Sequence, residues 1–223
     1  MKLALFDLDH TLLPFDSGMA WTRFLVGRGV LPAGAADDYL QACQRYVDGT
    51  LDIRQLHRQT VTPLAGLGAT ELQLLANAFG SSLEPRIPVP HRAWVERHRR
   101  QQHTCVLVTA TTHFIAAAVA PRFGIDEVLA TRSSVDADGR LNGAIDGEPC
   151  YGEQKLVQVQ RWLVARGATL ADCERSWFYS DSITDLPLLR AVSDPVAVRP
   201  DARLRALATS EGWTVLEGGC DPG

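Results

Sequence analysis

The sequence predicts an α/β fold: a parallel sheet core with a helical domain inserted after its first strand. Three observations predict it. The chain opens on a continuous apolar run, Leu3-Ala4-Leu5-Phe6, which reads as a strand buried on both faces. Residues 16–83 then carry helical periodicity with no strand among them. From residue 90 onward, apolar strand runs alternate with helical patterns, the arrangement that builds a parallel sheet.

Within the inserted segment, four apolar stripes predict four helices. Trp21, Phe24 and Leu25 make the first. Tyr39, Leu40, Cys43, Tyr46 and Val47 make the second. Ile53, Leu56, Thr60 and Leu64 make the third, and Leu72, Leu75, Ala76 and Phe79 the fourth. Gly29, Pro32, Gly49, Pro63 and Gly66 punctuate them, and the proline-rich stretch 84–90 reads as a stiff connector. Beyond it the expected elements are a helix over 90–102, a strand over 104–108 and a helix over 113–123. A β-hairpin over 128–145 turns at Asp138-Gly139. A helix over 154–166, a strand over 176–179, a helix near 186–191 and short strands at 195–198 and 213–216 complete the order. Residues 218–223 are expected to fray. The reading is a Rossmann-like core of residues 1–14 and 88–223, with a helical cap of residues 15–87.

A chain of 223 residues with 46% hydrophobic content has enough apolar surface for a sizeable core. Its net charge of −4 argues against a nucleic-acid partner. No apolar run is long enough to span a membrane, and only Met1-Lys2 precedes the first strand, so no signal peptide is expected. Five cysteines, odd in number and without C-x-x-C spacing, suit reduced thiols in a cytoplasmic protein.

The chemistry concentrates at strand ends. Asp7 and Asp9, one residue apart and followed by Thr11, close the first strand, where an open α/β sheet keeps its reactive crevice. Thr109 follows the strand at 104–108. Lys155 heads a helix, and Ser180-Asp181-Ser182-Ile183-Thr184-Asp185 follows another strand. Asp7 and Asp181 suit Mg²⁺, which takes one or two carboxylates, waters and a substrate phosphate. Asp7 is then placed as a nucleophile toward phosphorus, and Asp9 as an acid for the leaving alcohol and a base for water. Thr109 and Lys155 fall where phosphoryl oxygens need donors.

With these residues the chain resembles a phosphatase of the haloacid dehalogenase superfamily, subfamily IB, the branch that includes phosphoserine phosphatases. Asp7-Leu8-Asp9-His10-Thr11 is similar to its first motif and Val106-Leu107-Val108-Thr109-Ala110 to its second. Lys155 and the segment 180–185 match the third and fourth. The resemblance implies a Mg²⁺-dependent phosphomonoester hydrolase working through an aspartyl-phosphate on Asp7. It implies Mg²⁺ on Asp7, the Asp9 main-chain carbonyl and Asp181, with Asp185 and Thr184 supporting that site. Thr109-Ala110 stands where Ser-Gly is usual, which keeps a hydroxyl donor. Thr184 stands where asparagine is usual, so the water structure near the metal is expected to differ.

In that branch the cap chooses the leaving group. Asp16 falls where an acidic residue meets the substrate ammonium, and it also suits a helix N-cap. Thr60 falls where an arginine holds the substrate carboxylate, and Arg58, two residues away, faces elsewhere on the helix. A threonine does not replace a bidentate clamp. The expected substrate is therefore a small amino-alcohol phosphate, first histidinol phosphate. Phosphoserine, phosphoethanolamine or phosphocholine are the alternatives. Trp21 and Tyr46 are candidates to face an imidazole or quaternary ammonium. His57 and His113 read first as surface residues, with the cleft wall as their alternative placement, and His91, His98 and His103, among arginines, as the solvated face of a helix. Phosphotransfer to an alcohol and a receiver-like switch are rival readings, and the cap and Asp9 speak against the switch. The sequence leaves the oligomeric state open.

Overall fold

The computed structural model describes residues 1–217; the expected tail and Cys220 lie outside them. Six strands form one parallel sheet: β1 (Lys2–Phe6), β2 (Thr104–Thr112), β3 (Glu127–Thr131), β6 (Arg175–Ser180), β7 (Asp194–Val198) and β8 (Thr214–Leu216). Their order is β3-β2-β1-β6-β7-β8. A separate antiparallel pair joins β4 (Ser133–Val135) to β5 (Leu141–Ile145).

The continuous apolar run of β1 is explained by burial on both faces. Ala4 and Phe6 enter one hydrophobic cluster, and Leu3 and Leu5 the other. The period-2 alternation of a strand sends neighbouring residues to opposite faces. Against the Leu3 face pack α7 (Glu153–Val164), α8 (Leu186–Leu189) and α9 (Ala202–Glu211), through Val159, Leu163, Leu188 and Leu204. Against the Phe6 face pack α5 (Val89–Arg100) and α6 (His113–Val119), through Val95, Ile115 and Val119.

The four inserted helices are α1 (Ser17–Gly27), α2 (Ala35–Val47), α3 (Ile53–Val61) and α4 (Ala69–Ser82). Their apolar sides, including Trp21, Leu25, Val61 and Phe79, join the same cluster as Phe6. One close approach makes this possible. A Cβ on Gly80 of α4 would stand 2.2 Å from the Ala118 carbonyl oxygen of α6, so only glycine lets these helices meet.

Several expectations need correction. The segment 128–135 is not one arm of a hairpin. It breaks at Arg132, its first half becomes the edge strand β3, and only Ser133–Val135 pairs with β5. Strand β2 runs on to Thr112 past a register shift after Thr109. Helix α9 was not expected at all. The histidines of α5 are not solvated: His91, His98 and the following His103 are all buried. His91, Trp94, Val95 and His98 recur at helical spacing on the inward side, with Arg99 and Arg100 outside. Each inward imidazole has a partner. His91 Nδ1 lies 2.9 Å from the Leu12 carbonyl oxygen. His98 bridges His103 Nδ1 (2.8 Å) and the Tyr179 hydroxyl (2.9 Å). His57 is buried as well and takes its alternative placement, in the wall of the cleft below the inserted helices.

Candidate active site

The carboxyl ends of β1, β2 and β6 and the N-terminal end of α7 meet below the inserted helices. A cleft of about 510 Å³ opens there. It is lined by Asp7, Asp9, Thr109, Ala110, Lys155 and Asp181, as the motif positions predict, together with Thr184 and Asp185.

Local backbone geometry delivers the two aspartates. The Asp7 amide donates to the Tyr179 carbonyl oxygen at 2.9 Å, continuing the β1–β6 pairing. The chain then turns through His10, whose φ of 58° lies in the left-handed region. The turn is held by Leu13 N donating to the Leu8 carbonyl oxygen (2.9 Å) and by Arg199 donating to the His10 carbonyl oxygen (2.6 Å). His10 thus contributes backbone shape.

Asp7 is buried and sits beside the equally buried Lys155, whose Nζ lies 2.7 Å from Asp7 Oδ1 and 2.7 Å from Asp185 Oδ2. Ser180 Oγ donates to the same Asp185 oxygen at 2.7 Å. Burial works against the ammonium, but Asp185 and Asp7 outweigh it and hold its pKa above the usual lysine range. Burial raises the Asp7 pKa and Lys155 opposes the rise; the net shift is upward.

Thr11 Oγ1, fully buried, lies 3.2 Å from Asp7 Oδ2 and 3.4 Å from Asp181 Oδ1, so these two carboxylates face a common space. Burial and the Asp7 charge push Asp181 up to about 7. That is the signature of carboxylates crowded together with too little positive charge among them. Among the described residues no trio of His, Cys, Asp or Glu side chains is clustered as a metal cage. Two carboxylates facing one space are oxygen donors of the kind Mg²⁺ uses and most cages for softer metals do not. The residues fit the cation the motifs imply.

Asp9 is gripped from two sides. The Ser17 amide donates to its Oδ1 at 2.7 Å and Thr111 Oγ1 to its Oδ2 at 2.5 Å. Burial and the neighbouring Asp16 charge push it up to about 7, where a carboxyl both donates and accepts protons near neutral pH. Thr109 is buried and its Oγ accepts from the Thr111 amide at 3.1 Å.

The inserted helices close the other side of the cleft. Asp16 caps α1, accepting from the Met19 amide at 2.6 Å, and also accepts from the Tyr39 hydroxyl at 3.0 Å. The expected N-cap of Asp16 forms, and the residue also lines the cleft. Gly18 makes room for that tyrosine, since a Cβ there would stand 2.2 Å from its hydroxyl oxygen. Thr60 lines the cleft, with its hydroxyl donating to the Leu56 carbonyl oxygen. Arg58 is exposed and outside the cleft. Tyr46 faces Tyr151 across the cleft, their ring centroids 6.1 Å apart. Trp21 does not reach the substrate side. It is buried against Phe24, Phe79 and Phe114, because its stripe is the one that docks on α4 and α6. Thr184 bonds to Ser182 (3.0 Å) and to no acidic group.

Sequence reading missed Thr111, Ser17, Tyr39 and Tyr151. The threonines around Ala110 were a visible signal for the first; Tyr39 and Tyr151 become evident only once α2 and the loop before α7 line one cleft, and Ser17 only through its amide bond to Asp9.

Fold and site define a phosphatase of the parallel-sheet type, with paired aspartates at the first strand and a lysine and a second acidic pair opposite. The chain belongs to the haloacid dehalogenase-like hydrolases, whose family description matches residues 4–190. It is 37% identical over 217 residues to a histidinol-phosphatase of Neisseria meningitidis, covering 96% of this chain and 98% of that one. It is 29% identical to the phosphoserine phosphatase SerB1 of Mycobacterium tuberculosis, covering 96% of this chain and 70% of the other. A crystal structure of a protein of unknown function from Bordetella pertussis superimposes with a TM-score of 0.89. That protein is 38% identical, with 97% and 98% of the two chains covered. Among the described residues no helix is long and apolar enough to cross a membrane.

Proposed function

We propose that this hydrolase acts on a small amino-alcohol phosphate, histidinol phosphate first, through an aspartyl-phosphate on Asp7. The observation that carries the substrate reading is the charge of the cleft. Asp16 faces it from the cap, and among its described lining residues Lys155 is the only lysine or arginine. Lys155 is already shared between two carboxylates. A substrate ammonium meets an anion there, and a substrate carboxylate meets no cation. The relative named histidinol-phosphatase supports the same choice.

In the first step an Asp7 carboxylate oxygen attacks phosphorus, and Asp9 gives its proton to the leaving alkoxide. In the second, Asp9 takes a proton from water, and that water attacks phosphorus, freeing Asp7 and inorganic phosphate. Thr109, the backbone at Ala110 and Lys155 hold the phosphoryl oxygens. An ammonium has three donors, and Asp7 and Asp185 occupy two of the Lys155 donors. The third is left for phosphate. Mg²⁺ would be held by Asp7, the Asp9 carbonyl and Asp181, with Asp185 and Thr184 alongside, and would neutralise phosphate charge as the nucleophile approaches. The helices of residues 15–87 act as the cap, and Asp16, Thr60 and Tyr46 face the leaving group. Free thiols at Cys43, Cys105, Cys150 and Cys173 suit work in the cytoplasm.

A panel of phosphomonoesters tests the substrate. The expected order by kcat/KM places histidinol phosphate above phosphoethanolamine and phosphocholine, and all three above phosphoserine. A preference for phosphoserine overturns the reading of the missing carboxylate clamp.

A further inference from the structure

A second cavity, of about 540 Å³, lies within the cap between α1, α2, α3 and the turn after α3. It is as large as the catalytic cleft and separate from it. Leu31, Pro32, Ala42 and Pro63 give it apolar walls. Two charged side chains, Asp38 of α2 and Arg58 of α3, also line it. Both are exposed, and neither has an ion pair or a side-chain hydrogen bond among the described residues. Opposite charges that face one cavity without closing on each other leave a span for a molecule carrying both signs.

We propose that this cavity binds a small zwitterion, an α-amino acid with an apolar side chain. The guanidinium of Arg58 takes its carboxylate, the Asp38 carboxylate takes its ammonium, and the side chain lies against the apolar wall. Exposed ion pairs are weak, so the affinity falls in the millimolar range that suits an abundant metabolite.

The cavity has a path to the catalytic cleft. Tyr39 and Thr60 line both. The Tyr39 hydroxyl donates to Asp16, and Gly18 packs directly beneath it, so the ring has little slack. A ligand pressing on Tyr39 loosens or tightens its hold on Asp16. This coupling rests on Asp16 being the amine anchor; the binding itself does not.

The test uses L-leucine as probe, with isopentylamine (no carboxylate) and 4-methylpentanoate (no ammonium) as controls. Binding is read from the thermal unfolding midpoint of the whole protein. L-leucine is expected to raise the midpoint with increasing concentration. Each control, and each of Arg58→Ala and Asp38→Ala, is expected to weaken that response about fivefold or more. The two substitutions sit on the exposed rim and leave hydrolysis of p-nitrophenyl phosphate unchanged. With L-leucine present, KM for phosphoethanolamine shifts and KM for p-nitrophenyl phosphate does not. No response to L-leucine overturns the site, as does a response that survives both substitutions, which would place the amino acid in the catalytic cleft. If binding follows the prediction but neither KM moves, the coupling through Tyr39 fails and the cavity site stands.

Discussion

Lys155 Nζ stands 2.7 Å from Asp7 Oδ1, with both side chains more than nine-tenths buried. The lysine serves Asp185 at the same distance, so one ammonium balances two buried carboxylates. A buried pair is costly to assemble but far more costly to break, because the survivor keeps its charge without a partner.

Lys155→Met therefore removes the charge balance of the site. We expect a loss of about 3–5 kcal/mol in unfolding free energy, read by urea denaturation in a chelator. Added Mg²⁺ should restore part of it by supplying positive charge to the same carboxylates. A loss under about 1 kcal/mol would mean the pair is not buried as described.

Asp9→Asn separates proton transfer from nucleophilic attack. With an alkyl phosphate the leaving alkoxide needs a proton, and kcat should fall by roughly 10²–10⁴. With p-nitrophenyl phosphate the leaving group is stable without one, so the loss should be markedly smaller. Equal losses with both substrates would remove Asp9 from the acid role.

The site was legible because its chemistry sits at strand ends. Asp7, Thr109 and Asp181 each follow an apolar run, and a period-2 strand buried on both faces leaves a clear boundary where the run stops. Lys155 was placed by its position at a helix start. The cap was less legible. Trp21 and Tyr39 occupy similar stripes on successive helices, yet one is in the core and one in the cleft. Periodicity gives the apolar side of a helix and not which neighbour covers it. The burial of His91 and His98 shows the same gap, since arginines around them masked an inward stripe. Helix α9 carries end signals but a weak apolar stripe: Asp201 caps it through the Arg203 and Leu204 amides, and Gly212, at φ 69°, ends it. The short apolar content of that segment hid the pattern.

Asp16→Asn keeps the N-cap of α1, because asparagine caps as well as aspartate, and removes the charge. KM for histidinol phosphate or phosphoethanolamine should rise about tenfold, the scale of one charge-assisted hydrogen bond. KM for p-nitrophenyl phosphate should change little. Steady-state kinetics on both substrates checks this. A parallel rise in both would make Asp16 a structural residue only.

His98 gives the fold an acid-sensitive point remote from the chemistry. Burial, with the nearby His103, pulls its pKa from 6.5 down to about 4. Between those values the unfolded chain binds a proton that the folded protein refuses. The His98 contribution is therefore full above about pH 6.5, falls as the pH drops toward 4, and levels off below; its size is about 3 kcal/mol. His98→Gln should lose that part of the slope. Unfolding curves for both proteins at pH 7 and pH 4.5 measure the difference. A wild-type slope unchanged by the substitution would assign the acid sensitivity elsewhere.

An aspartyl-phosphate on Asp7 can be trapped chemically. Turning over substrate in excess, quenching with acid and reducing with borohydride converts an aspartyl-phosphate to homoserine. Mass spectrometry should find homoserine at position 7 in the wild-type protein, and none there in Asp7→Asn, which should lose at least about three orders of magnitude in kcat. Rapid turnover with no modification at position 7, or modification at another residue, would remove Asp7 as the nucleophile.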